Sequence, residues 1–176
     1  AKSAPEDILI RITACNRGPD EAELHILPTL WFRNTWSWGN NDRVPKPSLA
    51  SVPAAGGQAV ITARHAEQGD RWLYCEGAPS LLFTDNETNR ERLFGEPSEG
   101  PFVKDGFHRY VIDGETHAVN PAHEGTKAAA HWRIRVGPGG AGTVRLRLSD
   151  RPPESLKEPF GGPFEEIFAA RRQEAD

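Results

Sequence analysis

Apolar and polar residues alternate along several short stretches of this chain, which is the pattern that β-strands produce. The clearest examples are residues 8–13, 58–65, 71–76, 80–85, 127–136 and 143–149. Turn-forming residues separate most of these stretches, and the strands recur at short, regular intervals. The pattern therefore predicts an all-β fold, an antiparallel β-sandwich, over residues 1–150.

The last of these strands, residues 143–149, shows the alternation most plainly. Its valine and leucines would face the core, whereas Arg145 and Arg147 would face out. Residues 137–142 are rich in glycine and stand just before this strand. They predict a flexible surface hairpin loop between this strand and residues 127–136.

The most aromatic stretch, residues 25–40, joins a predicted strand to an unusual loop. Apolar residues occupy both faces of the strand over residues 23–32, so both faces should be covered. We expect this strand to pair with residues 8–13 as an antiparallel hairpin. The loop that follows carries two amides and two tryptophans: Asn34, Asn40, Trp36 and Trp38.

Two interpretations of that loop are open. In the first, Trp36 and Trp38 plug one end of the sandwich core, because tryptophan is usually mostly buried. In the second, the indoles line a surface for a carbohydrate or for a partner domain. Sugar rings stack their apolar faces on indole, and the amides of Asn34 and Asn40 suit hydroxyl groups.

A proline-rich connection follows the aromatic loop. Pro45, Pro47 and Pro53 stand close together, and the segment ends on Gly56 and Gly57. Proline cannot donate a hydrogen bond to a β-ladder. Residues 45–57 are therefore predicted to run outside the sheets.

Two further segments carry dense polar side chains. Residues 85–92 predict either a solvated loop with a short helical turn or a loop held against another domain or a substrate. Residues 102–113 mix aromatic and charged side chains, and we interpret His108, like His131, as a strand residue. The candidate contact residues of these two segments are Asp85, Asn86, Glu87, Asn89, Lys104, Asp105 and His108.

The C-terminal residues 151–176 differ from the rest of the chain. Residues 151–163 are rich in proline and glycine and predict a linker. Pro163 is well placed to open a helix, and three residues spaced i, i+3 and i+4 would form its apolar face: Phe164, Ile167 and Phe168. The helical pattern has no stop signal, so we interpret this region as a linker and the start of a helix towards a further domain.

Composition and charge argue against several classes of function. The formal net charge is −4 and the sequence pI is about 5.9, which argues against nucleic-acid binding. No apolar run approaches the roughly 20 residues needed to cross a membrane. Cys15 and Cys75 are expected to be free, buried thiols in a reducing, cytoplasmic compartment, although a single disulfide also fits.

Residue types that carry catalytic chemistry are present but scattered. A glycosidase needs two carboxylates that flank one bond, and Asp85, Glu87 and Asp105 qualify by type alone. No nucleophile elbow, phosphate-binding loop or metal-ligand spacing stands in the sequence. We therefore predict no catalytic residue, no metal and no cofactor in this chain.

Five longer motifs together resemble a known family. They are HILPTLWFRNTWSWG, LLFTDNETNRERLFG, VKDGFHRYVI, AVNPAHEGTKAAAHW and FEEIFAARRQEAD. In this order they resemble the non-catalytic, β-rich part of large bacterial glucosidase-like proteins. Those proteins are related to glycoside hydrolase family 63, the mannosyl-oligosaccharide glucosidase and mannosylglycerate hydrolase group.

This resemblance implies an N-terminal β-sandwich followed by an (α/α)₆ barrel. In the family the acid and base carboxylates lie in the barrel, and hydrolysis inverts the anomeric centre. The chain is then expected to support the barrel of its own polypeptide, which acts on α-linked glucose or mannose. The loop residues named above would stack on sugar, bind hydroxyl groups or dock the barrel, and the fragment alone would self-associate through uncovered apolar surface.

Two other hypotheses belong to different classes. The chain would be a stand-alone carbohydrate-binding or protein-interaction module if it bound oligosaccharides through Trp36 and Trp38. It would be an enzyme in its own right if the 176 residues hydrolysed a glycoside and lost that activity when Asp105 was changed. We expect no turnover.

Overall fold

The computed structural model describes residues 1–38 and 45–175. Its strands are β1 Lys2–Ala4, β2 Asp7–Cys15, β3 Ala22–Ile26, β4 Thr29–Trp31, β5 Ser48–Val52, β6 Ala59–His65, β7 Gly69–Cys75, β8 Ser80–Thr84, β9 Glu124–Gly125, β10 Lys127–Val136 and β11 Ala141–Ser149. Its helices are α1 Arg90–Phe94, α2 Gly106–Ile112 and α3 Gly162–Gln173. Single 3₁₀ turns cover Trp36–Trp38, Ala55–Gly57 and Thr116–Ala118.

The strands form two sheets in which the pairing is antiparallel. The larger sheet has the order β1-β2-β11-β7-β6-β5-β9. The smaller sheet is built on β10, which pairs with β3, β4 and β8. The fold is thus an antiparallel β-sandwich with one C-terminal helix, as the alternation of residues predicts.

The main core lies between the two sheets and draws on both. The larger sheet supplies Leu49, Ile61, Leu73 and Leu146, and the smaller sheet supplies Phe83 with two alanines of β10. Alternate residues of each strand point inward, which is the arrangement of an aligned sandwich. The alanines let the two backbones approach closely at the centre.

Both outer faces of the sandwich are also covered in part. On the larger sheet, Val60 and Tyr74 pack against Leu156 and Phe160 of the C-terminal segment. On the smaller sheet, helix α2 packs Phe107 against residues of β8 and β10. The residues after 150 therefore pack on the larger sheet and also link it to α3.

The predicted hairpin between residues 8–13 and 23–32 is wrong. Strand β2 pairs with β11, whereas β3 and β4 pair with β10. Ile26 lies opposite Trp132 and Thr29 opposite Ala129, so β3 and β4 keep one register along β10. Pro28 interrupts that edge because it has no N–H to donate. Periodicity found the strand but did not identify its partner.

The prediction that residues 45–57 run outside the sheets is also wrong. Ser48–Val52 forms β5, which lies between β6 and β9 in the larger sheet. Pro47 and Pro53 stand immediately outside the strand. They therefore remove no ladder hydrogen bond from it.

The glycine-rich residues 137–142 do not close a hairpin, since β10 and β11 belong to different sheets. Asn16 fastens this connection: its backbone N–H donates to Gly140 O at 2.9 Å, and its side-chain amide donates to Val136 O at 2.8 Å. The Gly139 N–H donates in turn to Asn16 O at 3.0 Å. The loop is therefore an anchored crossing between the two sheets.

Arg147 points away from the sandwich core, as predicted, but it is only 7% exposed. The C-terminal segment covers it, and its guanidinium donates to Pro159 O at 3.2 Å. Two further hydrogen bonds, of 2.8 and 2.6 Å, join it to both carboxylate oxygens of Asp7. A bidentate buried pair thus ties β2, β11 and the C-terminal segment together.

Cys15 and Cys75 are both free, so the disulfide alternative is not realised. Cys75 is buried in the main core, and burial raises the pKa of its thiol to about 12. Cys15 is exposed at the end of β2, which corrects the expectation that both thiols are buried. The position at a strand end leaves its side chain uncovered.

We expect Arg147→Ala to destabilise the fold by about 3–5 kcal/mol, because it leaves the Asp7 carboxylate buried without its partner. Urea denaturation followed by circular dichroism measures the loss. Arg135→Ala is the matched control, since Arg135 is exposed and lies 3.8 Å from Glu23. That change should cost no more than about 1 kcal/mol. Equal losses in the two variants would contradict the prediction.

Candidate functional site

Backbone hydrogen bonds gather four loop segments at one end of the sandwich. The N–H of Asp85 donates to Phe102 O at 2.7 Å, and the N–H of Lys104 donates to Glu87 O at 2.9 Å. On the other side, the N–H of Phe32 donates to Thr126 O at 3.0 Å. Segments that are far apart in sequence thus meet where several of the predicted contact residues lie.

Asn86 and Thr126 hold the centre of this arrangement. The Asn86 side-chain amide donates to Phe32 O at 2.9 Å, and its backbone N–H donates to Thr126 Oγ1 at 2.8 Å. The Thr126 hydroxyl then donates to Asp85 Oδ1 at 3.0 Å. Thr126 is buried, and the sequence offered no signal that singled it out.

Lys46 joins the carboxylates of Asp85 and Glu87. Its ammonium lies 3.2 Å from Asp85 Oδ1 and 2.9 Å from Glu87 Oε1. The indole N–H of Trp36 donates to the same Glu87 oxygen at 2.9 Å, and Lys46 Nζ lies 5.3 Å from the centre of the indole ring. We call these four residues the Lys46 network. Sequence reasoning missed Lys46, which lies in the proline-rich connection.

Burial acts to lower the pKa of Lys46, but the contacts with Glu87 and Asp85 outweigh it and raise the pKa above its ordinary value. The ammonium is thus held as a cation between the two carboxylates. An inverting glycosidase needs its two carboxyl groups to face one sugar bond with room for a water. Here a lysine fills the space between Asp85 and Glu87, so this pair lacks that geometry.

A second polar group surrounds Asp105. Both of its carboxylate oxygens accept hydrogen bonds of 3.2 Å from the Asn89 amide, and Arg92 donates to Oδ2 at 3.0 Å. Asn89 also caps α1, because its Oδ1 accepts the Arg92 N–H at 3.0 Å. Burial tends to raise the pKa of Asp105, yet these hydrogen bonds hold it below its ordinary value. Lys104 lies nearby and donates to Thr88 Oγ1 at 3.1 Å.

A cleft of about 220 Å³ opens between the two groups. It is lined by amide, hydroxyl, carboxylate, guanidinium and aromatic side chains: Asn34, Ser37, Glu87, Thr88, Arg90, Phe94 and Glu99. Hydroxyl-binding groups beside an exposed aromatic ring are the chemistry that a sugar requires. The cleft is polar and shallow, and its Phe94 belongs to α1 and not to the tryptophan loop.

The structure places His108 outside the lining of this cleft. His108 lies in helix α2, which corrects its interpretation as a strand residue. It borders an apolar groove of about 300 Å³ with Leu27, Phe107 and Ile112. Trp38 ends the 3₁₀ turn that begins at Trp36, and Asn40 lies outside the described residues.

Trp36 is half-buried beneath Lys46 and does not belong to the main core cluster. Its indole N–H is committed to Glu87. The indole therefore helps to position Glu87 at the cleft.

No group of three or more histidine, cysteine, aspartate or glutamate residues that could hold a metal is found in residues 1–38 and 45–175. Among these residues no helix is long and apolar enough to cross a membrane. No protein-family model matches the chain.

Two curated proteins are similar to the chain. The uncharacterized protein YMR196W of Saccharomyces cerevisiae is 33% identical over 204 aligned positions, which cover 98% of this chain and 18% of the yeast protein. A phenolphthiocerol synthesis polyketide synthase type I of Mycobacterium marinum is 32% identical over 120 positions, which cover 61% of this chain and 6% of the synthase. The chain thus spans less than a fifth of either relative.

We expect Trp36→Phe to lower the free energy of unfolding by about 1.5–3 kcal/mol, because the Glu87 carboxylate loses a hydrogen bond from a partly buried donor. Chemical denaturation measures the change. Trp31→Phe is the matched control, since Trp31 is largely exposed and lies outside the network. A loss as large in Trp31→Phe as in Trp36→Phe would contradict the assigned role of the indole.

Asp105 should also make stability depend on pH. Its folded-state pKa lies below the unfolded value, so its contribution is present above that unfolded value and disappears as the pH falls through the folded one. The difference in unfolding free energy between the wild type and Asp105→Asn should therefore be constant above about pH 5 and shrink at lower pH. Asp70→Asn is the control, because Asp70 is exposed and lies 3.9 Å from Arg64. A difference that does not change between pH 6 and pH 3 would refute the assignment.

Proposed function

We propose that this chain is a non-catalytic β-sandwich of an inverting glycoside hydrolase that acts on α-linked glucose or mannose. Its role is to support the catalytic barrel of the same polypeptide. This proposal rests on the positions of the exposed apolar side chains. The family resemblance of the five sequence motifs also supports it.

Four large apolar side chains among the described residues are more than half exposed. They are Trp31 at 54%, Leu93 at 61%, Phe94 at 65% and Ile112 at 74%. All four lie on β4, α1 and α2, the elements that border the cleft and the apolar groove. Exposed apolar side chains with polar residues beside them are typical of a surface that another domain covers.

The Lys46 network supports a scaffolding role over a catalytic one. Its carboxylates are already engaged by an ammonium and an indole N–H, so they are held in place and not presented to a substrate as an acid and a base. Fixed polar side chains at the end of a sandwich are suited to holding loops in a set shape. We propose that these loops form part of the rim of the barrel's active site.

The cleft residues suggest what the rim contributes. Asn34, Ser37 and Thr88 offer amide and hydroxyl groups, and Phe94 offers an exposed ring face. We propose that they contact hydroxyl groups of a bound sugar or polar groups of the barrel.

The yeast relative is more than five times as long as the matched segment, which agrees with a module inside a larger protein. The free thiols agree with a cytoplasmic location, and neither nucleic acid nor a membrane is proposed as a partner.

This proposal is tested with the chain and with a longer polypeptide that includes the barrel. The 176-residue chain should show no hydrolysis of α-glucosides or α-mannosides and should self-associate in sedimentation velocity. In the longer polypeptide, Phe94→Asp and Ile112→Asp should lower thermal stability and activity together. Arg135→Asp, on an exposed strand position away from these elements, should change neither. Glycoside turnover by the chain alone, or unchanged activity in both aspartate variants, would overturn the proposal.

A stand-alone carbohydrate-binding module is the second candidate, and the polar cleft beside Phe94 favours it. In that case the chain itself should bind oligosaccharides with quenching of tryptophan fluorescence. Phe94→Ala should abolish binding without unfolding the chain. A chain that binds no oligosaccharide would leave the scaffold proposal as the better account.

A further inference from the structure

Two histidines face each other on the outer side of the smaller sheet. Arg133 of β10 lies directly opposite His25 of β3, so His131 is the diagonal neighbour of His25 on the same face. His25 Nδ1 and His131 Nε2 are 2.9 Å apart. The ring centres are 5.0 Å apart and the ring planes are inclined by 26°. His131 lies four residues after Lys127 in β10, and neither histidine belongs to the Lys46 network.

Glu23 orients one of the two rings. Its Oε1 lies 3.4 Å from His25 Nε2 and is held by the Arg133 Nε at 2.7 Å. A carboxylate on that side favours a proton on His25 Nε2, so His25 Nδ1 accepts a hydrogen bond from the His131 Nε2–H. A bound metal ion would replace that shared proton, and His131 would then carry its proton on Nδ1. A carboxylate that accepts the second N–H of a histidine is the usual support of a metal-binding imidazole.

Several groups surround the second ring. Burial lowers the pKa of His131, and the neighbouring His25 and Arg133 lower it further. Arg135 also faces the cluster, at 3.8 Å from Glu23. Tyr110 of α2 packs edge-on against His131, with ring centres 6.3 Å apart.

The pair opens onto a pocket of about 590 Å³ whose lining includes Ser80, Thr116 and Tyr110. The pocket therefore has room for the water molecules that would complete a coordination shell. Zinc binds imidazole nitrogen at about 2.0–2.1 Å, so two such ligands in a tetrahedron stand about 3.3 Å apart. To reach that spacing the two rings need to separate by a few tenths of an ångström, and they must also turn so that both lone pairs point at the ion and not at each other.

We propose that His25 Nδ1 and His131 Nε2 together bind a divalent transition-metal ion such as Zn²⁺. The ion would keep open coordination positions filled by water, because the described residues supply no third ligand of histidine, cysteine, aspartate or glutamate type. Imidazole suits Zn²⁺ and Cu²⁺, and Cu²⁺ should bind more tightly. This inference is independent of the proposed carbohydrate-related function.

Isothermal titration of the 176-residue chain with ZnCl₂ at pH 7.5 tests the site. We expect one ion per chain at micromolar affinity and a higher melting temperature in its presence. His25→Ala and His131→Ala should each weaken binding by more than about tenfold, and Glu23→Gln, which keeps both imidazoles, by about tenfold. Zinc affinity should also fall as the pH is lowered, because protons compete with the ion for the imidazole nitrogens.

His117→Ala is the matched control, because His117 is exposed beside Glu115, 3.6 Å away, but has no histidine neighbour at ligand distance. It should leave the affinity unchanged. Cys15→Ser tests whether the exposed thiol of Cys15 binds the ion instead. Melting curves without metal show whether each variant is folded. No saturable binding, wild-type affinity in both histidine variants, or loss only in Cys15→Ser would each overturn the proposal.

Discussion

The close contact of β9 with the end of β8 is the constraint on which the candidate site depends. A Cβ on Gly125 would lie 2.3 Å from Thr84 O, so only glycine allows the two backbones to meet there. The next residue, Thr126, donates its N–H to the same oxygen at 3.1 Å. At this point the chain passes from the larger sheet to the smaller one. The corner that this crossing makes places Asp85 and Asn86 beside the tryptophan loop.

Charge in this corner is compensated inside the chain. Lys46 is shared by Asp85 and Glu87, and Asp105 is satisfied by Asn89 and Arg92. Each carboxylate therefore serves to hold a neighbouring loop, and the cleft between them is a shaped polar surface. Phe94 remains exposed at this surface, and the partly buried networks beside it hold the loops in position. Fixed polar networks beside an exposed apolar ring underlie the proposal of a supporting domain.

The two outer faces of the sandwich are covered to different extents. The larger sheet is closed by the C-terminal segment, where Arg147 and Asp7 form a buried pair and Phe164 is fully covered. The smaller sheet is only half covered by α2, which leaves the apolar groove at one end and the histidine pair at the other. The smaller sheet thus leaves two surfaces uncovered, the apolar groove and the histidine pair that is proposed to bind a metal ion.

Sequence alone was enough to find the strands at residues 58–65, 71–76, 80–85 and 127–136, because alternation reports directly which side of a strand is buried. It also identified the C-terminal helix from the spacing of Phe164 and its neighbours. Such patterns are local. They carry the information of which residues share a face, since a strand repeats every two residues and a helix every 3.6.

Only the tertiary structure decided which strands pair and which side chains meet. Alternation gave no reason for β3 to join β10 in place of β2, since both offer a suitable partner edge. Helix α2 covers Gly106–Ile112, and Gly106 fits closely against Ala118 O, a contact that no local pattern reveals. Lys46 and Thr126 were missed for the same reason: a single lysine beside prolines has no chemistry of its own until folding places two carboxylates around it.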